Sequence, residues 1–510
     1  MRLYRKKLQA SSRHTTVSLL VVGLCVTGVL TACGSGKSSS SSSSASASIP
    51  ASVLGGCDTK AGSNNPTTIT LAGPNQWSAS GKTFGPAWEA LVAAFEKCEP
   101  GIKLKTVVMP ITTFYQTLST QLSAGTAPEL VFNQATYQPN MVYQLDGDLA
   151  KPNPYVADSP TWLSTFNPKY YGPTLAIDAG GRHSWVPLTL SATALLYNKD
   201  AFKKAGVTAP ITTFADLITA CGKLTGAGYA PLALDDSDPW VSWVSNVIFE
   251  MTLQPYFDKL NYYDATGKPG TNPQITSKDW AKAILSGELT TKVPEVAAAL
   301  QLMKQVYNTC GTKNWSGITS TSGSMSNPQD FLGGKAAMSI GTSFAGGLFT
   351  DVKFQHGTMP FPTITTASTD LSTNYAARFG VSPYGSAFLI PSTTKGAKLA
   401  AALKFLQFAT APANDENLVN ATTGVPSVTA AKIPEASQGF IAGDWGTPMK
   451  MSSPAPAAPA GVSLMALYDG YFLGSKSLNQ EQSYLQGLWT QYYKDLVRST
   501  PEWAAESWAK

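Results

Sequence analysis

The 510-residue chain carries 37 lysines and arginines against 32 acidic residues, a formal charge of +5, and only 14% of its residues are charged. That length exceeds what one hydrophobic core serves and predicts two or three domains. The basic excess lies wholly in the first 32 residues, where Arg2, Arg5, Lys6, Lys7 and Arg13 stand without an acid; with those five removed, 32 basic groups balance 32 acidic ones, leaving no electrostatic case for binding nucleic acid.

The basic head is followed by an apolar run of 14 residues, Val17 to Leu30. A membrane span needs roughly 20 residues, so this run suits the hydrophobic region of a secretory signal instead. Leu30-Thr31-Ala32-Cys33-Gly34 comes next. Small residues before a cysteine resemble the lipobox of bacterial lipoproteins, which implies cleavage after a signal peptide at 1–32 and a lipid anchor on Cys33. Ser38 to Ser48 is almost devoid of apolar side chains and cannot bury enough surface to fold. Residues 33–65 therefore read as a flexible tether, and a coil of about 30 residues reaches roughly 30 Å on average.

Beyond Cys33 lie Cys57, Cys98, Cys221 and Cys310. An even number in an exported chain suggests two disulfides, with three pairings open. No two are closely spaced, so no metal site is expected among them.

Thr68 to Ala72 reads as a buried strand. Trp88, Leu91, Val92 and Phe95 follow at helical spacing, and the helix stops at Cys98-Glu99-Pro100-Gly101. Ile102 to Met109 alternates as a strand. Phe114, Leu118 and Leu122 mark a helix closed by Gly125, and Leu130-Val131-Phe132 is a third strand. This β-α-β-α-β order predicts parallel strands with helices on the faces. A helix running back along its strand ends near that strand's start, which brings Cys98 towards Cys57 and favours the pairing Cys57–Cys98 with Cys221–Cys310. Further along, Ala194 to Tyr197 reads as a strand, with Asn198 capping a helix to Ala205. Helices are expected over Thr213–Leu224, Val293–Thr309 and Lys395–Phe408, and strands over Ala336–Ile340 and Ser386–Ile390.

Four stretches resemble, in order, elements of the family 1 extracellular solute-binding proteins, the maltose-binding-protein-like sugar receptors of ABC importers. Pro187-Leu-Thr-Leu-Ser-Ala-Thr-Ala-Leu-Leu-Tyr-Asn-Lys-Asp-Ala-Phe-Lys-Lys204 is similar to the family signature. Ala124 to Phe132 resembles its "AGxxPDVF" element, and Phe331 to Met338 its "FxxGKAAM" element. Phe388 to Ser392 with Phe405 to Phe408 resembles the strand and helix after the lobes cross again. The resemblance runs over about 66–430. It implies an α/β, two-lobed, type II periplasmic-binding-protein-like fold with a cleft between lobes joined by crossing strands. Lobe one would be 66–187 plus 359–435, and lobe two 188–358 plus 436–510, which puts Cys221 and Cys310 in one lobe. It also implies a carbohydrate ligand, an ABC permease as partner, a monomeric receptor, no cofactor and no metal. The anchor at Cys33 would hold it on the outer face of the cytoplasmic membrane, with the surface of a monoderm cell preferred to a periplasm.

Sugars present apolar C–H faces and a rim of hydroxyls. Ligands of α/β sheets bind beyond the carboxyl ends of the strands. The polar and aromatic residues of those loops are the candidates. They are Asn75, Gln76 and Trp77 after the first strand, and Asn133, Gln134 and Tyr137 after the third. Thr189 and Ser191 lie at the crossover. Asp236, Asp238 and Trp240 follow Pro231–Leu234. Ser343 and Phe344 follow Ala336–Ile340, and Tyr384 precedes a lobe-one strand. Family members carry a ligand-stacking Trp in the loop where Phe344 stands, so stacking there departs from the pattern. The reading is that of a receptor and not an enzyme. Asp235–Asp238 lacks a second carboxylate at the defined distance a glycosidase needs, and Gly341-Thr-Ser343-Phe-Ala345 ends on Ala where a nucleophile elbow has Gly. A receptor for a peptide, amino acid or polyamine is the main alternative; an extracellular glycoside hydrolase is the lesser one.

Overall fold

The structure, a computed structural model, describes residues 49–510 apart from 61–63, 75–82, 134–138, 179, 320–323, 350, 380, 456–457 and 460. The signal segment, Cys33, Asn75, Gln76, Trp77, Gln134 and Tyr137 lie outside the described residues.

Among the described residues, ten strands form two sheets. They are β1 (Thr67–Gly73), β2 (Ile102–Val108), β3 (Leu130–Asn133), β4 (Val186–Ser191), β5 (Thr193–Asn198), β6 (Ala230–Ala233), β7 (Ala336–Thr342), β8 (His356–Met359), β9 (Ser382–Leu389) and β10 (Val425–Pro426). The first sheet has the order β10-β4-β9-β3-β1-β2 and the second β6-β7-β5-β8. β1 pairs with β2 and β3 in parallel, as the β-α-β-α-β order predicts, while β9 runs antiparallel to both β3 and β4, so that β4 points the same way as β1–β3. The intervening helices are Pro86–Cys98 and Ile111–Ala124. The second of these ends because Gly125 turns left-handed at φ 69°, which lets its N–H close on the Gln121 and Leu122 carbonyls.

Each sheet has its own core. In the first, Trp88 stacks on Phe388 with ring centroids 5.7 Å apart and meets Phe84 and Phe405 edge-on. In the second, the helix Asp238–Leu253 is enclosed on nearly all sides, packed against the helix Pro294–Gln305. The residues after Phe440 wrap this second core, with Trp445, Tyr468, Trp489 and Tyr493 buried in it.

Two boundaries differ from the sequence reading. Residues 51–57 do not behave as tether: Ala51–Leu54 forms a helical turn, and Val53 is buried in the first core. Composition hid this, because one valine and a disulfide are what hold a weakly apolar segment down. The second crossing between the lobes also lies later than 359. Phe361, Ile364 and Ala377 belong to the second core, so the chain returns to the first sheet only as it enters β9 at Ser382. Among the described residues, no helix is long and apolar enough to cross a membrane.

Cys57 is bonded to Cys98 and Cys221 to Cys310, closing loops of 41 and 89 residues. The second bond joins the helix Phe214–Gly226 to the end of the segment that follows Pro294–Gln305. Restricting the unfolded chain over such loops contributes about 4 kcal/mol each. Replacing Cys221 and Cys310 together by serine should therefore lower unfolding free energy by about 4 kcal/mol, read from urea transitions. An unchanged midpoint would show that the bond does not constrain the unfolded chain.

Candidate functional site

The strand directions bring one edge of each sheet together. The carboxyl ends of β1, β2 and β3 share an edge because those strands are parallel. β9 starts on that edge and β4 ends on it, where Ser191 stands opposite Ser382. In the second sheet, Thr193 at the start of β5 stands opposite Thr342 at the end of β7. Only Ala192 separates β4 from β5. The loops beyond Gly73, Asn133, Ser191, Ala233 and Thr342 therefore leave from two sheet edges joined by one residue. By backbone position, Asn133 ends β3 and Tyr384 lies near the start of β9.

The described candidates fall into different environments. Ser191 is half-buried at the edge. Thr189 and Ser386 stand opposite each other across β4 and β9 at an irregular register, both buried, with hydroxyls that have no hydrogen-bond partner. Ser343 is buried, and its N–H and hydroxyl engage the crossing: its N–H donates to Ala192 O, and its hydroxyl donates to Leu190 O and accepts from Ala192 N–H. Phe344 is half-buried against the first core, although it follows a strand of the second sheet.

The acidic cluster is bound up in local structure. Asp235 is fully buried and accepts from the N–H groups of Ser237 and Asn327 at 3.0 and 2.7 Å. Asp236 accepts from the Thr319 hydroxyl at 3.2 Å. Asp238 opens the helix Asp238–Leu253 and accepts from Met465 N–H at 3.1 Å. Trp240, one turn in, is 2% exposed and forms part of the second core, so it offers no open face in this structure. Pro239 at the helix start explains the difference from the loop reading: it begins a helix instead of ending a strand loop.

An aromatic group near the crossing was not singled out from the sequence. Phe379 packs on Trp243 with centroids 5.1 Å apart and stacks near Trp445 at 6.1 Å; Trp243 and Trp445 are 5.6 Å apart. Both tryptophans are buried, whereas Phe379 is half-buried. The Trp445 indole N–H donates to Thr193 O at 2.9 Å, fixing the group to the first crossing. Phe379 itself lies on the second crossing, three residues before β9. Its neighbour Arg378 faces Asp444 at 3.6 Å. Nothing in the spacing marks Phe379, and Trp445 lies in the stretch least like the family. The usable signal was Trp243, three residues past Trp240 on a helix whose start went unrecognised. No group of His, Cys, Asp and Glu able to hold a metal occurs among the described residues.

A family model described as "Bacterial extracellular solute-binding protein" matches residues 78–416. A putative binding protein of Brucella abortus is 32% identical over 150 residues, covering 29% of this chain and 34% of its own length. This chain thus spans about a third of the curated relatives it matches. Among solved structures, the binding protein RafE in complex with raffinose has a TM-score of 0.60 at 16% identity, over 83% of this chain and 99% of that one. The GacH receptor of Streptomyces glaucescens, solved unliganded and with acarbose, has a TM-score of 0.57 at 16% identity, over 85% and 99%. These likenesses establish the two-lobed, type II α/β fold.

The segment bearing Phe379 is clipped to the helix Asp238–Leu253 at a second point. Glu250, 1% exposed, accepts from Lys450 N–H at 2.7 Å and from the Tyr375 hydroxyl at 3.3 Å. Burial pushes its pKa from 4.5 up to about 8, against the pull of the Lys450 N–H, the Arg378 charge and Tyr375. The unfolded chain releases this proton near its ordinary value, while the folded chain keeps it to about 8. Between those values the native state binds more protons, so this group makes stability fall as pH rises, by at most about 1.4 kcal/mol per pH unit. Glu250→Gln should flatten that fall between pH 5 and 8 in urea unfolding. Parallel profiles for the variant and the parent would refute the assignment.

Proposed function

The chain belongs to the bacterial extracellular solute-binding proteins, and from that premise we propose that it captures a carbohydrate between its lobes and delivers it to an ABC importer. The observation that carries the sugar reading is the half-buried Phe379, backed by Trp243 and Trp445 where the two sheet edges meet. A sugar's C–H face gains from lying on such a ring, which two buried indoles hold rigid. The hydroxyls of Thr189 and Ser386, buried between β4 and β9, have no partner in the chain. The neutral balance of charge beyond residue 32 fits an uncharged solute, and the raffinose- and acarbose-bound neighbours share the fold. On this reading Asn75, Gln76, Trp77, Asn133, Gln134, Tyr137, Ser191 and Tyr384 are the residues proposed to supply the remaining contacts. Asp236 and Asp238 would need to leave their present partners to join them, and Trp240 supports the wall from behind.

Binding stabilises only the state that binds, by about 2.7 kcal/mol at a hundredfold excess over Kd. A thermal-shift panel of raffinose, acarbose and chitin oligosaccharides, set against amino acids and polyamines, should raise Tm with a sugar. Phe379→Ala should weaken that sugar's binding about tenfold, equivalent to about 1.4 kcal/mol. A Tm rise with amino compounds alone would replace the carbohydrate reading.

The proposed location adds a lipid on Cys33 and an extended tether before residue 51. Cys33→Ser should move the protein from the membrane fraction to the medium while leaving sugar binding intact. Retention of the variant on membranes would assign the attachment elsewhere.

A further inference from the structure

Ser343 is the first residue beyond β7, and it directs both its N–H and its hydroxyl at the link between the sheets. Its N–H donates to Ala192 O at 2.7 Å. Its hydroxyl donates to Leu190 O at 3.1 Å and accepts from Ala192 N–H at 3.2 Å. The residue is 1% exposed, so water does not compete for these bonds. Ala192 is the only residue between β4 of one sheet and β5 of the other, which makes this a three-bond clamp on a one-residue link between the sheets.

Beyond the serine the loop leaves its own lobe. Phe344 packs against the first core. Gly346 lies so close to Thr422 and Thr423, at the end of the helix Pro412–Thr422, that a Cβ there would collide with the Thr422 carbonyl and the Thr423 hydroxyl. That helix end is tied onward: Thr423 O accepts from the Ser437 hydroxyl at 2.7 Å. Ala436 O accepts from the Thr358 hydroxyl of β8, also at 2.7 Å. A loop of the second sheet is thus seated on the first lobe, between the first crossing and the third, where the chain leaves the first core after Ala431 and reaches the second at Trp445.

We infer that Ser343–Gly346 is the bearing on which the lobes turn, with Ser343 as the positioning residue that holds the Ala192 crossing in register. Three bonds around one residue cannot stretch singly, so rotation must be absorbed by the second and third crossings. Ser343 then acts on the ligand through the crossing, by limiting how far the loops of the two sheets can part. That consequence for capture rests on the interlobe binding proposed above; the bearing itself does not.

The test uses ligand-free protein, so a failure of the sugar reading cannot be confused with a failure of this one. Spin labels at Lys105→Cys on β2 and Lys292→Cys before the helix Pro294–Gln305, both exposed positions, report the interlobe distance. Removing residues 1–33 leaves only the four disulfide-bonded native cysteines beside the labels. Ser343→Ala should widen the distance distribution about twofold, and Ser343→Thr, which keeps the hydroxyl, should restore it. Ser339→Ala is the structural control. It removes an equally buried hydroxyl from β7, the strand that leads into Ser343, bonded to Ser326 O at 2.6 Å, without touching the crossing. It should lower Tm and leave the width unchanged. Gly346→Ala, which forces the loop off Thr422 and Thr423, should widen the distribution as well, and it carries the test if Ser343→Ala does not fold. Parental width in Ser343→Ala, or in Gly346→Ala where that carries the test, would overturn the proposal, as would equal widening in Ser339→Ala.

Discussion

A single alanine stands between the two sheets. Because Ala192 allows no slack, the end of β4 and the start of β5 must lie side by side, and every loop leaving the neighbouring strand ends is drawn to the same place. The register follows from this. Ser191 opposite Ser382 and Thr193 opposite Thr342 are the terminal pairs of their ladders, so the two edges begin where the link ends. The Ser343 bonds to Ala192 and Leu190, and the Trp445 bond to Thr193, satisfy the backbone groups that a strand-to-strand transfer would otherwise leave buried and unpaired.

Polar groups near the crossing divide into those already engaged and those still free. Asp235, Asp236, Asp238 and Ser343 have partners within the chain, and their bonds shape the turn after β6, the start of Asp238–Leu253 and the crossing itself. Thr189 and Ser386 have none. The bonds of Asp235, Asp236 and Asp238 hold local structure in place.

Local rules carried much of the fold. Asn198 reads as a cap, and its side chain accepts from the N–H groups of Asp200 and Ala201. Strand–helix alternation over 67–133 was legible because each element shows its own period and its own stop. The pairing of Cys57 with Cys98 followed from the direction in which a helix returns along its strand. The helix Asp238–Leu253 was not legible as an element because it is buried nearly all round, so no apolar stripe separates it from a buried strand. The segment 360–377 was misassigned because its many Thr and Ser residues hide three anchors, Phe361, Ile364 and Ala377, whose lobe is a matter of tertiary contact. Phe379 and Trp445 meet only in space, 66 positions apart, and no spacing rule connects them.

The position of Phe379 matters more than its ring. It lies on the second crossing, three residues from β9, and the same short segment is held by Tyr375 on Glu250 and by Arg378 beside Asp444. If the first crossing is clamped, the second is where backbone torsions can change. A solute stacked on Phe379 would then press on the segment that has to move, so contact and closure would share one set of residues. The shift such a solute could drive is bounded by the difference in its affinity for the two arrangements of the lobes. A tightly held ring that looked the same in both arrangements would bind well and move nothing. With the aromatic face on a crossing, instead of deep in either core, a solute bound there would meet different contacts in the two arrangements of the lobes.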